Sequence, residues 1–339
     1  MNYKISFVPC ILLIGVLVFP SIAKSDFVIV KQRVVDELMK PPVDDRLIES
    51  LLSRQRDDGT WTGINYTDVS REGFEHRIHL SNMVALGRAY KNRTRNSTRA
   101  KKSKQHFELA LLNWVDHDYI CVKLVAQPIG TPDQLVTLML VAGDIFPCWC
   151  CQKAQPIIGR AHIDAPGARP GGDRIKIAGI QAKNMLFTGD SQTFEKVIRV
   201  IEGEIKYVEW VGMKYGYTGL PQTLMVLKTE LKNGRGIQYD NSFHHRIDGI
   251  NNTLSYGLGY ANAFIEWAVY TAGTQYSFSD EKLASLIDYY LDGICKTAVY
   301  GKYPDFGARN RSISRQGALN AYSAKSAEEL PAHLELSNE

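Results

Sequence analysis

Apolar residues along the chain recur mostly at steps of three and four. In the stretch SDEKLASLIDYYLDGICKTAV, residues 279–299, Leu283, Leu286, Ile287, Tyr290, Leu291 and Ile294 fall on one stripe. Asp280 and Glu281 occupy what would be the first turn, facing the positive end of the helix dipole. The pattern predicts an amphipathic helix. Similar spacing predicts helices at Leu47 to Leu52, Leu80 to Tyr90, Phe107 to Val115, Leu135 to Val141, Ile175 to Phe187, Phe194 to Val208 and Leu258 to Tyr270. Gly- and Pro-rich breaks such as QPIGTP, APGARPGGDR and YGYTGLPQ separate them. Few stretches alternate with the period of two that a strand requires, and no fixed-length repeat recurs. The expectation is an all-α chain with long loops, and those loops are where function belongs.

The first 25 residues follow a different rule. Lys4 precedes an apolar run from Ile5 to Phe19, and Ser21-Ile22-Ala23 has the small-x-small form of a cleavage site. This predicts a signal peptide over 1–23, cleaved after Ala23, and a secreted or periplasmic protein formed by residues 24–339. The run is shorter than the roughly 20 residues a membrane span needs, and no later stretch qualifies.

With 45% apolar and 22% charged residues in 339, the chain can bury a sizeable core. Beyond the leader, cysteines stand at 121, 148, 150, 151 and 295, an odd set in a long chain, which argues against a disulfide framework. PCWCC has no second cysteine pair or histidine at zinc spacing, so no metal is expected. Net charge is +4, and Lys91 to Lys104 holds seven basic residues and no acid. A solvated loop between helices explains that run; attraction for a polyanion is the functional alternative, with an acidic polysaccharide favoured over nucleic acid after export.

Three polar segments, 164–174, 240–256 and 309–315, suggest one chemistry together. A tyrosine hydroxyl has a pKa near 10, too high for a base at neutral pH, unless neighbouring cations stabilise its anion. Tyr256 follows the pair His244 and His245, while Arg311 and Arg315 are four apart and share a face if that turn is helical. Paired guanidinium groups can also clamp a carboxylate. A base, a clamp and an acid are what β-elimination from a uronic acid requires.

These residues resemble the polysaccharide lyases of the chondroitin AC, hyaluronate and xanthan lyase group. IGTP (Ile129 to Pro132) looks like that family's IGTP, DNSFHHR with the later Tyr256-Gly257 like its Asp-x-Ser-aromatic-x-x-His and Tyr-Gly, and RSISR like its Arg-x-x-Ser-Arg. The resemblance spans roughly Trp114 to Arg315. It implies an (α/α) toroid of helical hairpins, Tyr256 as catalytic base and acid, Arg311 and Arg315 assisting it, and His245 as the catalytic histidine with His244 as alternative. It also implies an acidic polysaccharide as partner, no cofactor, no nucleic acid, no membrane span and a monomer.

Four departures qualify the match. His245 is one residue early. In GGDR, Asp173 stands where the family has a carboxylate-neutralising asparagine, so Asp173 should be protonated, paired with Arg174, or not the equivalent. KLVAQP, Lys123 to Pro128 with Gln127 as a substrate contact, replaces an aromatic Asn-Trp-Trp platform. The codons AAA CTG GTG GCG CAA CCN read one nucleotide later encode Asn-Trp-Trp-Arg-Asn, which motivates the hypothesis of a local frameshift; a gene sequence with other codons would end it. Finally, the chain stops at Glu339, short of further toroid and β-sandwich domains, so a truncated lyase is expected. Two rival readings follow: an impaired remnant that only binds acidic polysaccharide, and a metal hydrolase using His162, Asp164, His244 and His245.

Overall fold

The computed structural model describes residues 25–68, 75–92, 98–119, 130–143, 148–169, 171–207, 236–244, 251–299 and 303–309. Ten α-helices occur there: α1 (Asp26–Met39), α2 (Asp45–Arg54), α3 (His76–Asn92), α4 (Thr98–His117), α5 (Gly130–Ala142), α6 (Cys148–Ile158), α7 (Gly172–Thr188), α8 (Ser191–Gly203), α9 (Leu258–Thr271) and α10 (Asp280–Asp288). Strands are confined to two short antiparallel pairs, β1 (Gly236–Ile237) with β2 (Phe243–His244) and β3 (Ala298–Val299) with β4 (Tyr303–Pro304). No closed sheet or sandwich occurs among the described residues. The all-α expectation holds.

Helices α3, α5, α7 and α9 each pack against the next, and α4, α6, α8 and α10 each pack against the preceding member of that rank. The result is a double layer of helical hairpins, the architecture of an α/α toroid. An inner helix covered on both sides must be apolar all round. Accordingly α5 buries every residue from Leu135 to Ala142. Outer helices show one apolar stripe: α8 buries Phe194, Val197, Ile198 and Ile201 and exposes the opposite face.

Local signals set the ends. The Asp44 carboxylate accepts from the amides of Arg46 and Leu47 at 2.9 and 3.3 Å, and Asp190 accepts from Thr193 at 2.9 Å, satisfying donors left over in the first turns of α2 and α8. Among the described residues no helix is long and apolar enough to cross a membrane.

Three expected helices differ in extent. α8 stops at Gly203, well before Val208, because the next residue turns its carboxylate inward to hold another loop. The helix of 279–299 is regular only to Asp288; a π-helix, Tyr289–Ile294, and a 3-10 turn, Cys295–Thr297, follow. Gly293 explains the change, since a Cβ there would overlap the Asn241 carbonyl of the β1–β2 turn. α4 begins at Thr98 rather than near Phe107, so the last seven residues of the basic run Lys91 to Lys104 are helical, and its first two close α3. α1 and α6 have no counterpart among the expected helices.

Two cores result. One lies among α2 to α6 and one face of α7, and includes Trp61, Leu80, Phe107, Trp114, Leu138 and Ile177. The other joins α1, α7, α8, α9 and α10 around Phe194, Phe243, Tyr260, Phe264 and Tyr289.

Candidate active site

Tyr256 lies on a π-turn, Thr253–Gly257, that leads directly into α9. In this wide turn the Gly257 amide donates to the Asn252 carbonyl at 3.0 Å, an i to i−5 bond, and the Ser255 amide donates to the same oxygen. Single π-turns of this kind concentrate at functional sites. Tyr256 is half-buried against the second core.

The turn is fastened on two sides. The Asn252 amide donates to the Phe243 carbonyl at 2.7 Å, the Phe243 amide donates to the Thr253 hydroxyl at 2.9 Å, and His244 bridges to Asn251. On the other side the Leu254 amide donates to the Ala308 carbonyl at 2.9 Å. The strand bearing His244, the turn bearing Tyr256 and the segment entering RNRSISR therefore share one hydrogen-bonded junction.

Gly257 explains the Tyr-Gly pairing physically. A Cβ there would overlap the Tyr289 hydroxyl and come within 2.7 Å of Phe243 Cβ. Only glycine lets the two aromatic residues close on the turn. The Tyr289 hydroxyl is fully buried with no hydrogen-bond partner among the described residues, and burial drives its pKa far up.

His244 is oriented from behind. Its Nε2 lies 3.2 Å from the Ser242 hydroxyl, which donates to the Asp240 carboxylate at 2.7 Å; the Ser242 amide donates to the same oxygen at 3.0 Å. Burial works to raise the Asp240 pKa, but these bonds and the charge of His244 outweigh it and hold the carboxyl below its ordinary value.

The GGDR segment reaches this junction through a residue the motifs did not flag. Glu204, buried just past α8, accepts the Gly171 amide at 2.8 Å and stands 3.8 Å from the Arg174 guanidinium. Tyr260, buried in α9, donates to the Glu204 carbonyl at 2.5 Å and packs on Phe243 with ring centroids 4.9 Å apart. Glu204 and Tyr260 thus tie the start of α7 to the strand of His244. Asp173 does not pair with Arg174. It accepts from Arg169 at 2.8 Å, one helical turn earlier, because Arg174 is turned toward Glu204.

A cleft of about 390 Å³ opens between α7 and α9, lined by Ile175, Gly179, Lys183, Gly259, Ala263, Glu266, Trp267 and also Asp133 from α5. Its α9 wall begins at Gly259, three residues after Tyr256. At the far end the Lys183 ammonium donates to Asp133 at 3.1 Å, and the Tyr270 hydroxyl donates to Glu266 at 3.1 Å. Burial would lower the Lys183 pKa, but the charges of Asp133 and Glu266 and the Asp133 bond raise it overall, so the ammonium stays charged. Asp133 immediately follows IGTP, so that motif delivers α5 to the cleft.

His245, Arg311, Arg315, Gln127, the KLVAQP segment and residues 1–24 lie outside the described residues. His162 and Asp164 fall on the loop before α7, and among the described residues no three histidine, cysteine or carboxylate side chains gather as a metal-ligand set. Sequence reading missed Glu204, Tyr260, Tyr289 and Lys183. Lys183 carries no distinguishing signal, since α7 also holds Asp173, Arg174, Lys176, Gln181 and Asn184; an acid just past a helix end, such as Glu204, carries none either.

Comparison with known proteins agrees with this architecture. No protein-family model matches the chain. Over 298 residues it is 23% identical to chondroitinase-AC of Pedobacter heparinus, covering 88% of this chain and 39% of that protein. A chondroitinase AC lyase solved with oligosaccharides superposes with a TM-score of 0.73 at 20% identity, over 93% of this chain and 45% of the other. The Streptomyces coelicolor A3 chondroitin AC lyase gives 0.66 at 13% identity, over 92% and 42%, and a Paenibacillus xanthan lyase gives 0.61 at 13% identity, over 87% and 28%. The fold is that of the helical toroid of the polysaccharide lyases. By sequence the chain is related to a chondroitinase AC and by fold to the chondroitin AC and xanthan lyases, and it spans about two-fifths of the curated relative it matches.

Proposed function

We propose that the protein is an exported polysaccharide lyase that cleaves a uronic-acid-containing polymer, of the chondroitin or hyaluronan kind, by β-elimination. Residues 1–23 act as its signal peptide and 24–339 as its catalytic domain. Tyr256 takes the C5 proton of the uronate, the C4–C5 double bond forms as the C4–oxygen bond breaks, and the same tyrosine returns a proton to the leaving oxygen. His245, or His244 in its place, assists by neutralising charge, and Arg311 and Arg315 lower the tyrosine pKa and hold the carboxylate. Asp173, Arg174 and Gln127 contact substrate. No redox step occurs, since the electron pair of the broken C5–H bond becomes part of the new double bond.

The observation that carries this reading is the shared junction of Tyr256, His244 and the segment entering RNRSISR, one turn from a cleft. A second reading, an impaired chain that binds acidic polysaccharide without cleaving it, draws on Asp173 and its pairing with Arg169, which leaves no amide at the carboxylate-neutralising position. Incubation with chondroitin, hyaluronan and xanthan, followed by absorbance of the unsaturated uronate, separates them. Cleavage abolished by Tyr256→Phe is expected, a loss of at least about 100-fold for removing the proton-transfer group. Binding without absorbance supports the second reading, and full activity in Tyr256→Phe overturns the mechanism.

A further inference from the structure

The turn between β1 and β2 holds a large aromatic side chain out in solvent. Tyr239 is 74% exposed. One face of its ring stacks on Tyr207, with centroids 5.8 Å apart and planes 8° from parallel, leaving the other face open. The arrangement is built rather than loose. The Tyr207 hydroxyl donates to the Asn241 side chain at 3.2 Å, the Gln238 amide donates to the Ser242 carbonyl at 2.8 Å, and the Asn241 amide donates to the Gln238 carbonyl at 2.9 Å. Asn241 itself sits in the left-handed region at φ 60°, which its short amide tolerates.

Leaving such a ring in water forgoes the stabilisation that burial would bring. Holding it rigid, flat and backed by a second ring makes it ready for a ligand with an apolar face and polar edges. A pyranose has that form: its C–H groups pack on an aromatic face while its hydroxyls reach acceptors at the rim. Acceptors are at hand. Asp240 and the Asn241 amide share the turn, and the Asp288 and Asp292 carboxylates act on Tyr207, adding to burial in raising its pKa. Asp292 is paired with Lys296, so the charge of Asp240 and Asp288 is what disfavours an anionic sugar at the same spot.

We infer that Tyr239, backed by Tyr207, is a sugar-stacking platform that takes an uncharged pyranose unit of the polysaccharide. Tyr239 and His244 are five residues apart, so at full extension their separation is at most about 17 Å, close enough for one saccharide chain to reach both. The identity of the ligand rests on the polysaccharide reading above; the platform itself rests on the stacked rings. It supplies a flat face of the kind that KLVAQP does not offer.

The test uses the full chain carrying Tyr256→Phe, so that binding is read without cleavage, and hyaluronan tetrasaccharide as probe. Calorimetry should show affinity falling about fivefold or more in Tyr239→Ala, as expected for losing one aromatic contact, and little change in Tyr239→Phe, which keeps the ring. Saturation-transfer NMR should show the signal lost in Tyr239→Ala on the N-acetylglucosamine ring. Tyr239→Ala binding like its parent overturns the platform, and a loss confined to the glucuronate ring overturns the assignment to an uncharged unit. If the parent chain cleaves no polymer yet binding still depends on Tyr239, the lyase reading falls and the platform stands. Normal cleavage with binding indifferent to Tyr239 has the reverse meaning.

Discussion

The two cores handle buried polar groups in different ways. In the first, the Tyr66 hydroxyl lies 2.9 Å from His79 Nδ1, and His79 Nε2 lies 2.9 Å from the Ala110 carbonyl. A carbonyl only accepts, so Nε2 carries the proton and Nδ1 accepts from Tyr66, whose oxygen in turn accepts the Trp61 amide at 3.0 Å. Every bond has one direction, and the imidazole is held neutral. In the second core the Tyr289 hydroxyl has no described partner, a buried carboxylate serves several donors, and the helices carry π-turns. The first core also leaves Trp114 Nε1 without a described partner, but it fixes His79 in one tautomer between regular helices, while the second keeps irregular helical geometry beside Tyr256. Such departures from local rules are expected at functional sites.

The contrast can be broken experimentally. The largest effect should come from acid acting on the first core. Burial, partly offset by the Ala110 bond, pushes the His79 pKa down to about 4. Between the ordinary histidine value and that figure the unfolded chain binds a proton that the folded chain refuses, so stability falls as pH falls through this window, by roughly 3 kcal/mol. Denaturant midpoints from pH 7 to 4.5 should show this slope, and it should flatten in His79→Gln.

Steric crowding in the second core should come next. Gly257→Ala forces a methyl against Tyr289 and Phe243, costing about 2 kcal/mol. Gly259→Ala, two positions on, meets nothing within 4 Å and should leave the melting temperature unchanged or slightly raised. Equal melting temperatures for the two variants would remove the argument for a tight junction. The smallest effect belongs to the half-exposed Arg169–Asp173 pair. Asp173→Asn should change stability by less than about 1 kcal/mol while raising the rate of uronate cleavage, and an unchanged rate would separate Asp173 from the family's asparagine.

What the sequence disclosed divides along the same line. Helices whose apolar stripe faces one core, such as α2, α3 and α8, are legible because periodicity and burial coincide. α1 was missed because it follows the leader and fully buries only Val30 and Val34. The π-turn at Tyr256 and the break after Asp288 were invisible, since both come from contacts between distant segments: Gly257 with Tyr289, and Gly293 with Asn241. The ordered motifs pointed to Tyr256 with His245, or His244 in its place, an inference available only through resemblance; of the two histidines only His244 is described, and its strand is bonded to the turn of Tyr256. Glu204 could not have been found the same way, because its role depends on where the start of α7 arrives.

Gly257 also has a consequence for how this protein can vary. Positions 243, 257 and 289 occupy one shared volume, so they constitute a single unit of selection rather than three separate sites. A side chain at 257 becomes admissible only where 243 or 289 has shrunk, and the energies of paired changes there will not add. Among homologous chains these three columns should change together, and a chain that combines a bulky residue at 257 with intact aromatics at 243 and 289 has given up this geometry around its tyrosine.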